Sequence, residues 1–178
     1  GCDTIAHSAS LAVKAPNIAV LAHGLQTITP GCNAALAARI LECGGLLVSP
    51  FAFGVEPRPE FYVRRDLLQA ALSSAVVMVQ SSSDGGSLHA ARSALALDRL
   101  LVVPAPASVD VGGSDPVIEA TRTISSGNVG QIKRLLECED SQLKNIFVVT
   151  SKADYANLAL VIGEAANNLE LNIGGVLL

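Results

Sequence analysis

"FYVRRDLLQAALSSAVVMVQSSSDGGSLHAARSALAL", residues 61–97, sets two arginines ahead of an apolar run, and a Gly-Gly-Ser turn ahead of a second helical pattern. Its middle, SAVVMVQSS (74–82), holds a short unbroken apolar run with the length and β-branched character of a buried strand. The flanking segments RRDLLQAALSS (64–74) and SLHAARSALALDR (87–99) space their apolar residues as helices do, with Ser or Gly at their ends. Helix, strand and helix in this order form one unit of a repeating plan.

The plan continues on both sides. NIAVLAHGL (17–25), GLLVSP (45–50) and LLVVPAPA (100–107) are further short apolar runs, and NAALAARILECGG (33–45) is another helical pattern. Alternating strands and helices predict an α/β fold with a parallel sheet covered by helices on both faces. Such sheets bind ligands beyond the carboxyl ends of their strands, which points to the loops after residues 18–22, 46–49 and 75–80. Beyond Pro106 the texture turns rich in Gly, Ser and Asp, so residues 108–128 read as a connector with one short helix near Val117 to Ile124. VGQIKRLLECE (129–139) is amphipathic, and Ser151 and Asp154 are spaced as a capping pair before an apolar run. Residues 129–178 therefore read as a small helical module.

The totals bound the function. A chain of 178 residues, half of them apolar, buries one good core and a small appendage. The net charge of −4 is unevenly spread: residues 1–99 carry seven basic and seven acidic side chains, residues 100–178 five and nine. Binding to nucleic acid by bulk charge is excluded, and any such binding must come from a local cluster. Cys2, Cys32, Cys43 and Cys138 have no CxxC spacing, which predicts reduced thiols and a cytoplasmic setting without a zinc site. No apolar run approaches the ~20 residues of a membrane span, and no basic-then-apolar leader opens the sequence, so no membrane partner is expected.

Two features carry candidate chemistry. Gly85 and Gly86 permit positive φ and close backbone approach, and Ser87 is placed to cap the next helix, so this turn reads either as an anion site or as an ordinary strand-to-helix turn. Arg58, Arg64 and Arg65 stand in a Pro-containing loop and at the start of a helix, where positive charge needs compensation by Asp66 or by a bound phosphate. His7, His23 and His89 lie on separate elements in no catalytic order and read as packing or capping residues. No carboxylate pair suggests acid–base work, so neither an enzyme nor a cofactor is expected.

Taken together, these segments resemble the DNA-processing protein A family, also called DprA or Smf, from Gly1 to about Pro106. GCDTIAHSASL resembles its GID-x-x-AH-x-x-AL segment, and IAVLAHGLQTITP its strand and G-x-x-x-x-YP turn. GLLVSPFAFGVEPRPEFYVRRDLLQAALSSAVVMVQ is similar, without a gap, to the stretch containing FPRRNRIIAGLS, and GGSLHAARSALALDRLLVVPA to SGALITARLALE and the strand ending in VPG. The resemblance implies an extended Rossmann-like domain over residues 1–107 that binds single-stranded DNA, dimerises and loads RecA during natural transformation, with no catalytic activity. It places Tyr62 at the motif's phenylalanine, Arg64 and Arg65 at its arginines, and Gly86, Ser87 and Arg92 on the phosphate-facing turn and helix. Asp66 replaces the motif's asparagine, Leu67 its next basic residue and Ala90 a threonine, and VPAPA stands where the family has VPG. The changes at Asp66, Leu67 and Ala90 each remove a donor or a positive charge.

The family also has a first strand, a glycine-rich phosphate loop and a further strand before the segment matching Gly1, so the expectation is an N-terminally incomplete domain. The tail from Val129 resembles the family's winged-helix module. Two other readings remain open: a nucleotide-binding or ribose-phosphate-hydrolysing relative, which would need a PGGxGT turn and a nearby glutamate that DGGSLHAAR lacks, and a remnant that binds nothing.

Overall fold

The computed structural model describes residues 1–107 and 115–173, and it divides into two compact units, Gly1–Leu68 and Gln69–Leu178. The first holds helix α1 (Cys2–Ala12), strand β1 (Ile18–Val20), helix α2 (Ala34–Glu42), strand β2 (Leu46–Val48) and the start of helix α3 (Pro59–Ala71). Strands β1 and β2 pair in parallel, Ile18 opposite Leu46 and Val20 opposite Val48. Leu11, Ala19 and Ile40 form the core, with Leu36 and Leu47 against it, so α1 and α2 each turn one apolar stripe to the strands. The return from α2 to β2 depends on two glycines for different reasons. Gly44 has φ +79°, and a Cβ at Gly45 would stand 2.5 Å from the Asn17 carbonyl oxygen.

The second unit holds strand β3 (Ala75–Val77), helix α4 (Ser87–Ala96), strand β4 (Leu100–Pro104), helices α5 (Glu119–Ser125) and α6 (Val129–Leu136), strand β5 (Ile146–Val149) and helix α7 (Tyr155–Ile173). The sheet order is β3-β4-β5, all parallel. The central strand alternates between two cores, as the two-residue period of a strand requires. Leu101 and Val103 pack with Leu88, Leu95, Ile124 and Leu136, while Leu100 and Val102 pack with Val149, Leu158 and Val161. Helices therefore cover both faces of this sheet, which is the α/β class predicted by the sequence.

Two expectations need correction. Residues 129–178 read as a small helical module; Ile146–Val149 within them is a strand, because its apolar side chains complete the sheet beside β4. Helix α3 begins at Pro59, five residues before the expected start, because proline preorganises a first turn and Glu60 suits its positive end. The expected connector lies in part, at 108–114, outside the described residues; Glu119–Ser125 within it is a regular helix, close to the expected span. No described helix is long and apolar enough to cross a membrane.

Candidate nucleic-acid interface

The basic cluster of the first unit is built on the turn after β2 and the first two turns of α3. Phe51 and Phe61 stack with their centroids 4.3 Å apart at an interplanar angle of 29°. The Arg58 guanidinium lies 5.8 Å from the centroid of the Phe61 ring, and that of Arg64 lies 5.5 Å from the centroid of Phe51. Both arginines are exposed, and among the described residues neither is paired with a carboxylate. These separations sit at the long end of a cation–π contact, so the guanidinium groups are placed beside the rings yet remain available to an anion.

Arg65 is used differently. Its Nε donates to Asp66 Oδ1 at 2.9 Å, its Nη1 donates to the Val20 carbonyl at 3.4 Å, and its guanidinium lies over Tyr62. The two side chains are 18% and 11% exposed, so this pair is largely desolvated and ties α3 to the carboxyl end of β1. Asp66 thus compensates Arg65, one of the two compensations the sequence allowed. The start of α3 at Pro59 also puts Arg64 and Arg65 beyond the first turn, so the expected clash with the positive end of the helix does not arise. Tyr62 is exposed beside Arg65.

In the second unit the turn between β3 and α4 is closed on itself. Ser81 Oγ donates to the Ser82 carbonyl, Ser82 Oγ to Asp84 Oδ1 at 2.9 Å, and the Gly85 amide to the Ser82 carbonyl at 3.1 Å. Gly85 and Gly86 do not use the positive φ that glycine permits. Gly85 is required by space, because a Cβ there would collide with Ser81 Oγ and come within 3.1 Å of the Ser82 amide nitrogen. Ser87 does not cap α4: Gly86 is the N-cap residue without a side-chain bond, and the amides of Leu88 and His89 turn back to the carbonyls of Gly85 and Gly86. Arg92, expected on the phosphate-facing helix, donates twice to the Leu135 carbonyl, at 2.9 and 3.2 Å, and pairs with Glu137 at 3.1 Å. It closes the C-terminal end of α6, where Glu137 takes the left-handed conformation.

The sequence-predicted residues therefore fall into two groups, Arg58, Tyr62, Arg64 and Arg65 in one unit and Gly85, Gly86, Ser87 and Arg92 in the other. Sequence reasoning missed Phe51, Phe53 and Phe61. The signal was available, since three of the four phenylalanines in the chain fall within residues 51–61. His23 is fully buried, with Nδ1 2.8 Å from the Gly24 carbonyl, in keeping with a packing role. At the carboxyl end of β5 the amides of Thr150 and Ser151, with the Thr150 hydroxyl, hold the Asp154 carboxyl below its ordinary pKa. Burial pushes the Cys138 thiol up. Among the described residues no group of His, Cys, Asp and Glu is arranged to hold a metal ion.

Residues 1–133 match the family described as DNA recombination-mediator protein A. The chain belongs to this family. Protein Smf of Escherichia coli is 43% identical over 107 residues, which is 60% of this chain and 29% of that protein. The putative DNA processing protein DprA of Mycobacterium tuberculosis is 35% identical over 107 residues, 60% of this chain and 27% of the relative. The chain thus spans under a third of the length of these relatives. Among solved structures, DNA processing protein A (DprA) from Streptococcus pneumoniae superposes with a TM-score of 0.61 at 21% identity, over 88% of this chain and 47% of that one. DNA processing protein A from Helicobacter pylori, solved for insight into its unique single-stranded DNA binding mode, gives 0.57 at 21% identity, over 80% of this chain and 55% of that one. At such identity these likenesses establish the shared fold of the family, seen here as parallel strands with helices around them.

Proposed function

We propose that this DNA recombination-mediator family chain binds single-stranded DNA, as a cytoplasmic, non-catalytic homodimer that passes incoming strands to RecA during transformation. The observation that carries the reading is the pair Arg58 and Arg64: two exposed guanidinium groups over aromatic rings, without a carboxylate partner among the described residues. Phosphates are bound by such cations and bases by such rings, and a local cluster of this kind is what a chain of net charge −4 needs to bind a polyanion. Family membership and the single-stranded DNA binding described for the Helicobacter pylori relative support the same reading.

A second reading, a relative with attenuated binding, is favoured by Arg65 and Arg92, whose guanidinium groups are engaged by Asp66, Leu135 and Glu137. The salt dependence of binding to a fluorescent single-stranded oligonucleotide separates the two. With Arg58 and Arg64 as the phosphate contacts, the logarithm of affinity should fall with the logarithm of salt with a slope near −1.4, at ~0.7 per phosphate neutralised. A slope steeper than about −3 would mean that Arg65 and Arg92 leave their partners for phosphate. Absence of binding at low salt would leave the attenuated reading standing and remove the first.

A further inference from the structure

The turn that follows Phe51 displays an apolar tip. Phe53 is 80% exposed at the turn Ala52–Val55, in which the Val55 amide donates to the Ala52 carbonyl at 3.2 Å and Gly54 takes φ +90°. The loop after β1 fixes this turn from behind. The Gly24 amide donates to the Val55 carbonyl at 2.8 Å, Gln26 Nε2 donates to the same carbonyl at 3.1 Å, and the Gly54 amide donates to Gln26 Oε1 at 2.9 Å. Gly24 has to be glycine for the loop to approach so closely, because a Cβ there would collide with the Ala52 carbonyl oxygen and Gln26 Oε1. Ser49 Oγ adds a further tie, donating to the His23 carbonyl at 2.7 Å and accepting from the Phe51 amide at 3.0 Å. A large apolar side chain on an anchored turn keeps its position without gaining burial, so it is held in place for a ligand to cover.

We infer that Phe53 and the Phe51–Phe61 pair form a stacking platform for unpaired nucleobases, with Arg58 and Arg64 holding the neighbouring phosphates. The inference rests on the single-stranded DNA reading and adds that recognition is driven by bases more than by charge. Charge complementarity selects this occupant. Each phenylalanine of the stacked pair has a guanidinium beside it, which suits a ligand that alternates flat aromatic rings with anions. An apolar peptide or a second copy would meet the exposed charges of Glu56, Arg58, Glu60 and Arg64 around the rings. The same two glutamates keep the local charge low, so phosphate contacts alone give little affinity and stacking has to supply the rest.

The test titrates the full chain with an oligothymidine and with an abasic oligonucleotide of the same length, for the wild type and for Phe53→Ala. Phe53 is exposed, so the substitution should leave the melting temperature in place. The expected result is about a tenfold weaker binding of oligothymidine by Phe53→Ala, matching the contribution of one stacked base, with the already weak abasic binding unchanged. Equal affinity of the wild type for the two strands, or oligothymidine binding unchanged by Phe53→Ala, would overturn the platform while leaving single-stranded DNA binding intact. Failure of the wild type to bind either strand would overturn both readings. Sedimentation showing a dimer that Phe53→Ala dissociates, with DNA affinity unchanged, would assign the patch to a second copy instead.

Discussion

The basic residues of the two units stand in consecutive motifs of one family, yet the structure treats them in opposite ways. Around the start of α3, Arg58 and Arg64 reach solvent over aromatic rings, and only Arg65 is drawn inward, by Asp66. On α4, Arg92 is engaged by the carbonyl of Leu135 and the carboxylate of Glu137, and the turn before it is filled by the hydroxyls of Ser81 and Ser82. An arginine's charge is available to a ligand only where the fold has offered it no carbonyl or carboxylate of its own. On the function proposed above, Arg58 and Arg64 of the first unit are the cations left for a ligand, while Arg92 of the second serves the fold.

The sharpest way to break this contrast is at Asp66. Its removal leaves Arg65 desolvated and without its ion pair, so Asp66→Ala should destabilise the chain by about 3 kcal/mol, the low end for breaking a buried pair because both side chains keep some solvent. Asp66→Asn, which restores the residue of the family's motif, should also lose stability and gain no DNA affinity, since the carboxylate faces Arg65. Chemical denaturation and anisotropy on the two variants check this. Tighter binding at unchanged stability would show that Asp66 acts on the ligand and not on the fold.

Next in size is Gly85→Ala. The new methyl meets Ser81 Oγ in a turn where Ser81 is buried, so overpacking should cost roughly 2 kcal/mol. Gly86→Ala is the control: nothing lies within 4 Å of its Cβ, and its φ of −57° suits any residue, so the change should be neutral within about 0.5 kcal/mol. Equal effects at the two positions would mean that the turn is not packed as described.

The sequence made the alternation legible because strand and helix periods differ and most of the runs are bounded by Gly, Ser or Pro. It hid the start of α3, since Pro59 and Glu60 precede the apolar run that marks the helix, and a first turn need not be apolar. Strand β5 was hidden for another reason: IFVV is four residues long, and its partner β4 lies about forty residues earlier, so nothing local distinguishes it from part of an apolar helix. At the site, Ser87 had the identity of a cap, but the first amides of α4 turn back to the carbonyls of Gly85 and Gly86 instead. Which arginine faces solvent is likewise a tertiary fact; the composition of residues 51–62 gave the better clue.

Arg92→Ala comes third. Loss of a charge-assisted bond to the Leu135 carbonyl should cost about 1.5 kcal/mol, the low end for bonds to charged groups because Arg92 is partly exposed. Single-stranded DNA affinity should not change. A loss of affinity with stability retained would move Arg92 to the binding surface and erase the contrast between the units.

The smallest effect on stability belongs to Arg64→Ala, and it is the most telling. The side chain is exposed and its guanidinium lies 5.5 Å from the Phe51 centroid, so the melting temperature should stay within the range of a surface change, about 0.5 kcal/mol. Binding should weaken, and the salt slope should fall in magnitude by about 0.7 as one phosphate contact is lost. Lysine at this position keeps the charge but not the flat face, so Arg64→Lys should restore the slope without restoring all of the affinity. If lysine restores both, the ring beneath Arg64 only packs the loop. If alanine changes neither affinity nor slope, Arg64 does not meet phosphate at all, and the first unit loses its claim to be the binding surface.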